Sequence, residues 1–220
     1  MKTIDEIISE VKMNSGIKRQ VFSLDFERAV LNFQKFANAR LESKKQKFVM
    51  CNEVEKLIDW LYLQKKFETD YSKGILIKGA TGNGKTFLLD VFSDFCKLDE
   101  PLYISGGKTR NIRPLKVNAR QIASEFTKDG WEGIEKYFST NSLFIDDIGA
   151  EQKSNHYGNK ISAITEILDR REERNLLTFA TTNYNKLSEI YDDRTVSRIA
   201  SLFNIWYIQN DVDYRINPNK

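Results

Sequence analysis

Residues 74–86, GILIKGATGNGKT, constrain this chain more than any other stretch. Ile75, Leu76 and Ile77 form a short apolar run that reads as a buried strand. The next eight residues fit G-x-x-x-x-G-K-[ST] at every fixed position. Glycines let the backbone curl until successive N–H groups point inward at phosphate oxygens, and a helix starting near Lys85 adds its positive end. Phe87, Leu88, Leu89, Val91 and Phe92 supply the apolar face that such a helix needs. The expected phosphate site is therefore Gly79, Ala80, Thr81, Gly82, Asn83, Gly84, Lys85, Thr86 and Phe87. Lys85 is expected to reach the β- and γ-phosphates, and the Thr86 hydroxyl to ligate Mg²⁺. Strand, loop and helix in that order predict an α/β fold built around a parallel sheet.

A second motif supports the first. Residues 142–147, SLFIDD, read as a hydrophobic strand ending in two carboxylates. At the carboxyl edge of a parallel sheet, Asp146 is placed to hold Mg²⁺ and Asp147 to orient an attacking water. Some 60 residues downstream of a full phosphate loop, this is a specific signal. Residues 176–180, LLTFA, read as another buried strand that runs into Thr181, Thr182 and Asn183. The Asn183 amide is expected to face the γ-phosphate. Arg194 and Arg198 then sit four apart on one helix face, as candidates for neutralising transition-state charge in a neighbouring subunit's site or, individually, as surface ion pairs.

Size and composition set outer limits. The 220 residues suit one full α/β domain plus a small appendage, and no apolar run approaches the ~20 residues of a membrane helix. The acidic N-terminus MKTIDEIISE has no secretory pattern, so a cytoplasmic protein is the expectation. Cys51 and Cys96 stand far apart and make neither a disulfide framework nor a zinc site. One histidine, His156 in a polar run, supports no nucleophilic triad. Up to Phe48 there are ten Lys/Arg against six Asp/Glu, so the net charge of +3 is concentrated in the N-terminal quarter. That excess suits a phosphate backbone, an acidic protein or a solvated helical face.

Along the chain, Thr3-x-x-Glu6 with Ile4, Ile7, Ile8 and Val11 reads as a short capped amphipathic helix, docked on its own domain or on a partner. A second helix is expected over residues 25–47, and the whole of 1–48 as a helical extension separate from a core at 49–220. Residues 49–66 read as a packing helix, and the loop 67–73 is a candidate for contact with the base. Residues 101–104 and 114–117 read as extended, joined by the glycine-containing connection SGGKTRNIR. That connection is expected to be flexible, with Lys108, Arg110 and Arg113 free to follow a nucleic-acid strand or simply exposed. Residues 120–137 and 161–174 are helical by periodicity, the aromatics of the first serving mainly the core. Strands are expected near 74–78, 115–119, 142–146, 176–181 and 203–208.

With these residues in place, the chain resembles the AAA+ ATPases, and within them the DnaC/IstB group of helicase loaders and transposition helper ATPases. The resemblance covers about residues 49–215 and rests on GATGNGKT at Gly79, LFIDDIGAE at Leu143, ILDRREERNLLTFATTNYNKL at Ile167 and DRTVSRI at Asp193. It implies a three-layer P-loop NTPase with a five-stranded parallel sheet, and ATP and Mg²⁺ as cofactors. It makes Lys85, Asp147, Asn183 and either Arg194 or Arg198 the catalytic set, with Thr86 and Asp146 as metal ligands. Asp147 is one methylene shorter than the glutamate many such ATPases carry. The resemblance further implies no C-terminal lid, since only about a dozen residues follow Ile208, and no initiator-type duplex-binding domain. Implied partners are further copies of the chain, a hexameric replicative helicase and single-stranded DNA, with no membrane. Three functions stay open: a helicase loader, a transposition helper, or a nucleotide-gated binding module with little turnover.

Overall fold

The computed structural model describes residues 18–19, 25–99, 101–105, 107–151, 154–156, 159–209 and 212–214. The helix expected around Thr3 and Glu6, and the chain from Arg215 onward, lie outside the described residues. Five strands form a parallel sheet: β2 (Gly74–Lys78), β5 (Leu115–Asn118), β6 (Ser142–Asp146), β9 (Leu177–Thr182) and β10 (Phe203–Tyr207). Their spatial order is β10-β2-β9-β6-β5. Three of these strands carry near-continuous apolar runs because both faces of the sheet are covered. Ile75 and Ile77 of β2, Phe144 of β6 and Phe179 of β9 enter one core. Their neighbours Leu76, Leu143, Ile145 and Ala180 enter another on the opposite face. The period-2 alternation of a strand thus divides single apolar runs between two layers of helices, which is the expected three-layer sandwich.

One layer consists of α1 (Phe26–Leu41), α2 (Asn52–Tyr62) and α3 (Lys85–Asp99). The Asp25 side chain caps α1 by accepting from the Glu27 and Arg28 N–H groups. Ala29, Phe33 and Ala37, spaced four apart, then bury completely against the same core as α2 and α3. Phe33 packs on Phe95 of α3 with ring centroids 5.8 Å apart. The segment expected to stand apart from the core is therefore integral to it over α1, because the stripe of small and aromatic residues has a helical surface to cover. The other layer holds α4 (Ala119–Ser139), α5 (Ala163–Glu173) and α6 (Asp193–Leu202). Helix α4 breaks at Gly130, whose φ of 62° is left-handed. Beyond the break Ile134, Tyr137 and Phe138 are buried, as a core role for these side chains requires.

Two further features differ from expectation. The basic connection after residue 101 is not a flexible loop. Strands β3 (Leu102–Ser105) and β4 (Lys108–Asn111) pair antiparallel, and β1 (Lys18–Arg19) pairs with β3 on its other edge. Gly107, with a left-handed φ of 72°, lies in the turn between the two strands, and Arg110 is tied by Nη1–H to Asn141 Oδ1 at 2.9 Å. The polar run that includes His156 likewise contains a hairpin, β7 (Ser154–His156) with β8 (Asn159–Ile161). No helix among the described residues is long and apolar enough to cross a membrane.

Candidate functional site

Strand β2 lies between β10 and β9, so the phosphate loop leaves the sheet where neighbouring chains can brace it. The Gly79 N–H donates to the Thr182 carbonyl of β9 at 3.3 Å, and the Ile208 N–H donates to the Lys78 carbonyl at 2.9 Å. Gly82 and Gly84 take φ of 81° and 92°, the left-handed turns that curl the loop. Lys85 opens α3 and is buried, with its ammonium turned into the loop. It donates to the Gly79 carbonyl at 2.8 Å, the Ala80 carbonyl at 2.6 Å and Asn83 Oδ1 at 3.1 Å. These neutral oxygens hold the cation where phosphate oxygens would form stronger, charge-assisted bonds.

The acidic pair converges on the loop from β6, which does not touch β2. Strand β9 lies between them and links the two motifs through Thr181. The Thr181 hydroxyl donates to Asp146 Oδ1 at 2.7 Å and accepts from the Asp147 N–H at 2.9 Å. Asp146 Oδ1 also accepts from the Thr86 hydroxyl at 2.8 Å. Thr86 and Asp146 thus offer a hydroxyl and a carboxylate at one point, hard oxygen donors suited to Mg²⁺ when phosphates and water complete the shell. Lys116 Nζ lies 3.9 Å from Asp146 Oδ2 and is anchored on Asp90 at 2.7 Å.

Asp147 has a left-handed φ of 59°, which aspartate tolerates better than most residues. That turn directs its side chain to Asn183, whose amide donates to Asp147 Oδ1 at 2.9 Å. Just beyond, Glu151 accepts from the Gly149 N–H at 2.7 Å and from the Tyr191 hydroxyl, closing the loop that carries Asp147. Burial raises the Glu151 carboxyl above its usual range and raises the Tyr191 phenol as well.

A cavity of about 1210 Å³ opens over these groups. Its floor runs from Thr81 through Leu88, and Asp147 and Asn183 stand on its border. The far wall is the segment 46–53, including Phe48, Val49 and Cys51, with Ile208 and Tyr214 completing the enclosure. The loop 67–73, a candidate for base contact, does not reach the cavity. Its Tyr71 hydroxyl donates to the buried Asp59 at 2.7 Å, and Asp70 pairs with Asn204. Burial, with a smaller contribution from the Glu53 charge, pushes the Cys51 thiol up to about 11. Arg194 and Arg198 do not line the cavity. Asp169 of α5 holds both, Arg194 Nη2 at 2.9 Å and Arg198 Nε at 3.2 Å, and Glu172 also pairs with Arg198. The Arg194 side chain is 73% exposed, against 36% for Arg198.

Fold and site together define the class: the chain has a three-layer α/β fold of the P-loop type, with the glycine-rich loop at the carboxyl edge of a five-stranded parallel sheet. No family model and no curated protein matches the sequence. Among solved structures, the DnaC helicase loader superposes with a TM-score of 0.57 at 20% identity, over 80% of this chain and 99% of that one. DnaI superposes with a TM-score of 0.54 at 22% identity, over 74% and 88% of the two chains. The replication initiator DnaA bound to AMPPCP and single-stranded DNA superposes with a TM-score of 0.53 at 19% identity, over 74% and 49%.

Thr181, Lys116 and the wall at 46–53 escape sequence reasoning. A threonine in a strand is an ordinary β-former, and nothing in one sequence ties the end of α1 to the phosphate loop across more than 30 residues.

Proposed function

We propose that this chain binds ATP over the phosphate loop and hydrolyses it at an interface with a second copy, as a DnaC-type replication protein that loads a replicative helicase on single-stranded DNA. The observation that carries this reading is the meeting of Lys85, Thr86, Asp147 and Asn183 at one cavity, with Asp146 bonded to Thr86 beside it, while both candidate arginines stay outside. Its biological context draws on likeness to the DnaC helicase loader, and its nucleotide and nucleic-acid partners on likeness to DnaA bound to AMPPCP and single-stranded DNA.

Lys85 exchanges its loop carbonyls for β- and γ-phosphate oxygens. Thr86 and Asp146 would hold Mg²⁺, which screens phosphate charge when bound. Asp147, released by Asn183, accepts a proton from the attacking water, and Asn183 turns its amide to the γ-phosphate. Arg194 of a neighbouring copy, with Arg198 as second candidate, exchanges Asp169 for the developing charge. A second reading, a nucleotide-gated module with little turnover, draws on the short Asp147 side chain and its engagement by Asn183.

Steady-state hydrolysis by wild type and Lys85→Ala across protein concentration, with and without single-stranded DNA, separates the two readings. The ATPase reading expects wild-type specific activity to rise with concentration and Lys85→Ala to stay at background. Tight ATP binding by wild type with turnover equal to that of Lys85→Ala would replace it with the gated module.

A further inference from the structure

The phosphate loop is also gripped from outside, by the chain that follows β10. The Tyr214 N–H donates to the Gly82 carbonyl at 3.1 Å. The space a Cβ at Gly82 would fill is taken by Asp213, whose Oδ1 lies 2.0 Å from that position. Asn83 Nδ2–H reaches the Ile208 carbonyl at 3.4 Å while Asn83 Oδ1 holds Lys85. Beside Gly84 the Tyr214 ring comes within 3.8 Å of where a Cβ would stand, and Tyr214 lines the same cavity as Lys85, Thr86 and Phe48. Three consecutive loop residues therefore meet the segment beyond the last strand, and the ring it presents faces the space above the loop.

We propose that the segment 212–214 is a wall of the nucleotide site, with Tyr214 supplying the aromatic surface on which the nucleoside rests and Asp213 seating the segment against Gly82. The inference rests on the nucleotide-binding reading above and adds to it the residue that recognises the nucleoside rather than the phosphates. The chemistry is that of an aromatic ring beside a phosphate cradle. A planar base has a π-face that a tyrosine covers, whereas a bare phosphate chain gains nothing from the ring. The carboxylate of Asp213 packs on the Gly82 backbone, so a side chain at residue 82 would dislodge it.

Calorimetric titration of the full chain with ADP and with inorganic tripolyphosphate tests this, using wild type, Tyr214→Ala and Tyr214→Trp. Tyr214→Ala is expected to weaken ADP roughly tenfold, as loss of a base–aromatic contact does, and to leave tripolyphosphate binding unchanged. Tyr214→Trp is expected to restore ADP affinity. Equal losses for both ligands would show that the ring only shapes the loop, and wild-type ADP affinity in Tyr214→Ala would show no contact; either overturns the inference while the phosphate-loop reading stands. A wild-type protein that binds neither ligand overturns both.

Discussion

Thr181 has two duties at once, and a single hydroxyl performs both. It donates to the Asp146 carboxylate and accepts from the backbone of Asp147. Thr181→Val keeps the shape and deletes both bonds in a fully buried position, so a loss of about 1–2 kcal/mol in stability is expected by urea denaturation. Turnover is expected to fall more steeply than ADP affinity, because the carboxylates and not the loop lose their support. Asp147→Asn keeps the Asn183 contact within reach but removes the proton acceptor. It is expected to cut hydrolysis about a hundredfold or more while ATP binding persists. Retained turnover in that variant would assign the base to another group. The glycine-rich loop between β2 and α3 was legible in the sequence because a phosphate-binding motif demands fixed types at fixed spacing. Thr181 was not legible, since its role comes from β9 lying between β2 and β6, an order that no local pattern encodes.

At the scale of elements, the strands of the central sheet were legible and the hairpins were not. β2, β6 and β9 sit between two helical layers, so their runs are near-continuously apolar and end abruptly at loops. In the first hairpin β3 reads as extended, but its partner Lys108–Asn111 lacks the apolar alternation by which a strand is read, and so do Ser154–His156 and Asn159–Ile161. Arg171 shows how α5 is locked to the sheet. Fully buried, its guanidinium donates to Thr178 Oγ1 and to the carbonyls of Tyr137, Thr140 and Leu177, at 2.7 to 3.0 Å. Arg171→Met leaves three carbonyls unanswered, and a loss of about 3 kcal/mol is expected in chemical denaturation. A loss under 0.5 kcal/mol would mean that α4, α5 and β9 hold together without it. Gly74, where β2 starts, passes so close to β9 that a Cβ would come within 1.8 Å of the Thr178 carbonyl oxygen. Gly74→Ala is expected to cost about 1–3 kcal/mol through forced separation of the two strands.

The whole molecule draws the cavity over the glycine-rich loop from distant parts of the chain, among them that loop, the segment 46–53, the residues just past β6 and β9, and the chain after β10. Sequence placed the loop and the strand ends but not the wall at 46–53, because closure across α2 depends on α1 packing into the core. Cys51 in that wall gives the assembly a pH signature. Its thiol is raised from 9.0 to about 11 in the folded chain, chiefly by burial. The unfolded chain releases that proton first, so the contribution to stability is complete below about pH 9 and is lost as pH rises through about 11. Denaturation midpoints between those values are expected to fall more steeply for wild type than for Cys51→Ala, and parallel slopes would place the thiol in water.

Mixing two inactive variants tests most directly whether one copy holds ATP while another completes the site. Lys85→Ala keeps its arginines but cannot seat the phosphates, and a chain carrying both Arg194→Ala and Arg198→Ala keeps the cavity but offers no arginine. Each is expected to be at least a thousandfold below wild type in ATP hydrolysis. Mixed in equal amounts, they are expected to regain turnover well above the sum of the two, because intact cavities meet intact arginines. A mixture no more active than its separate components, under conditions where wild type hydrolyses ATP, would contradict a site shared between copies.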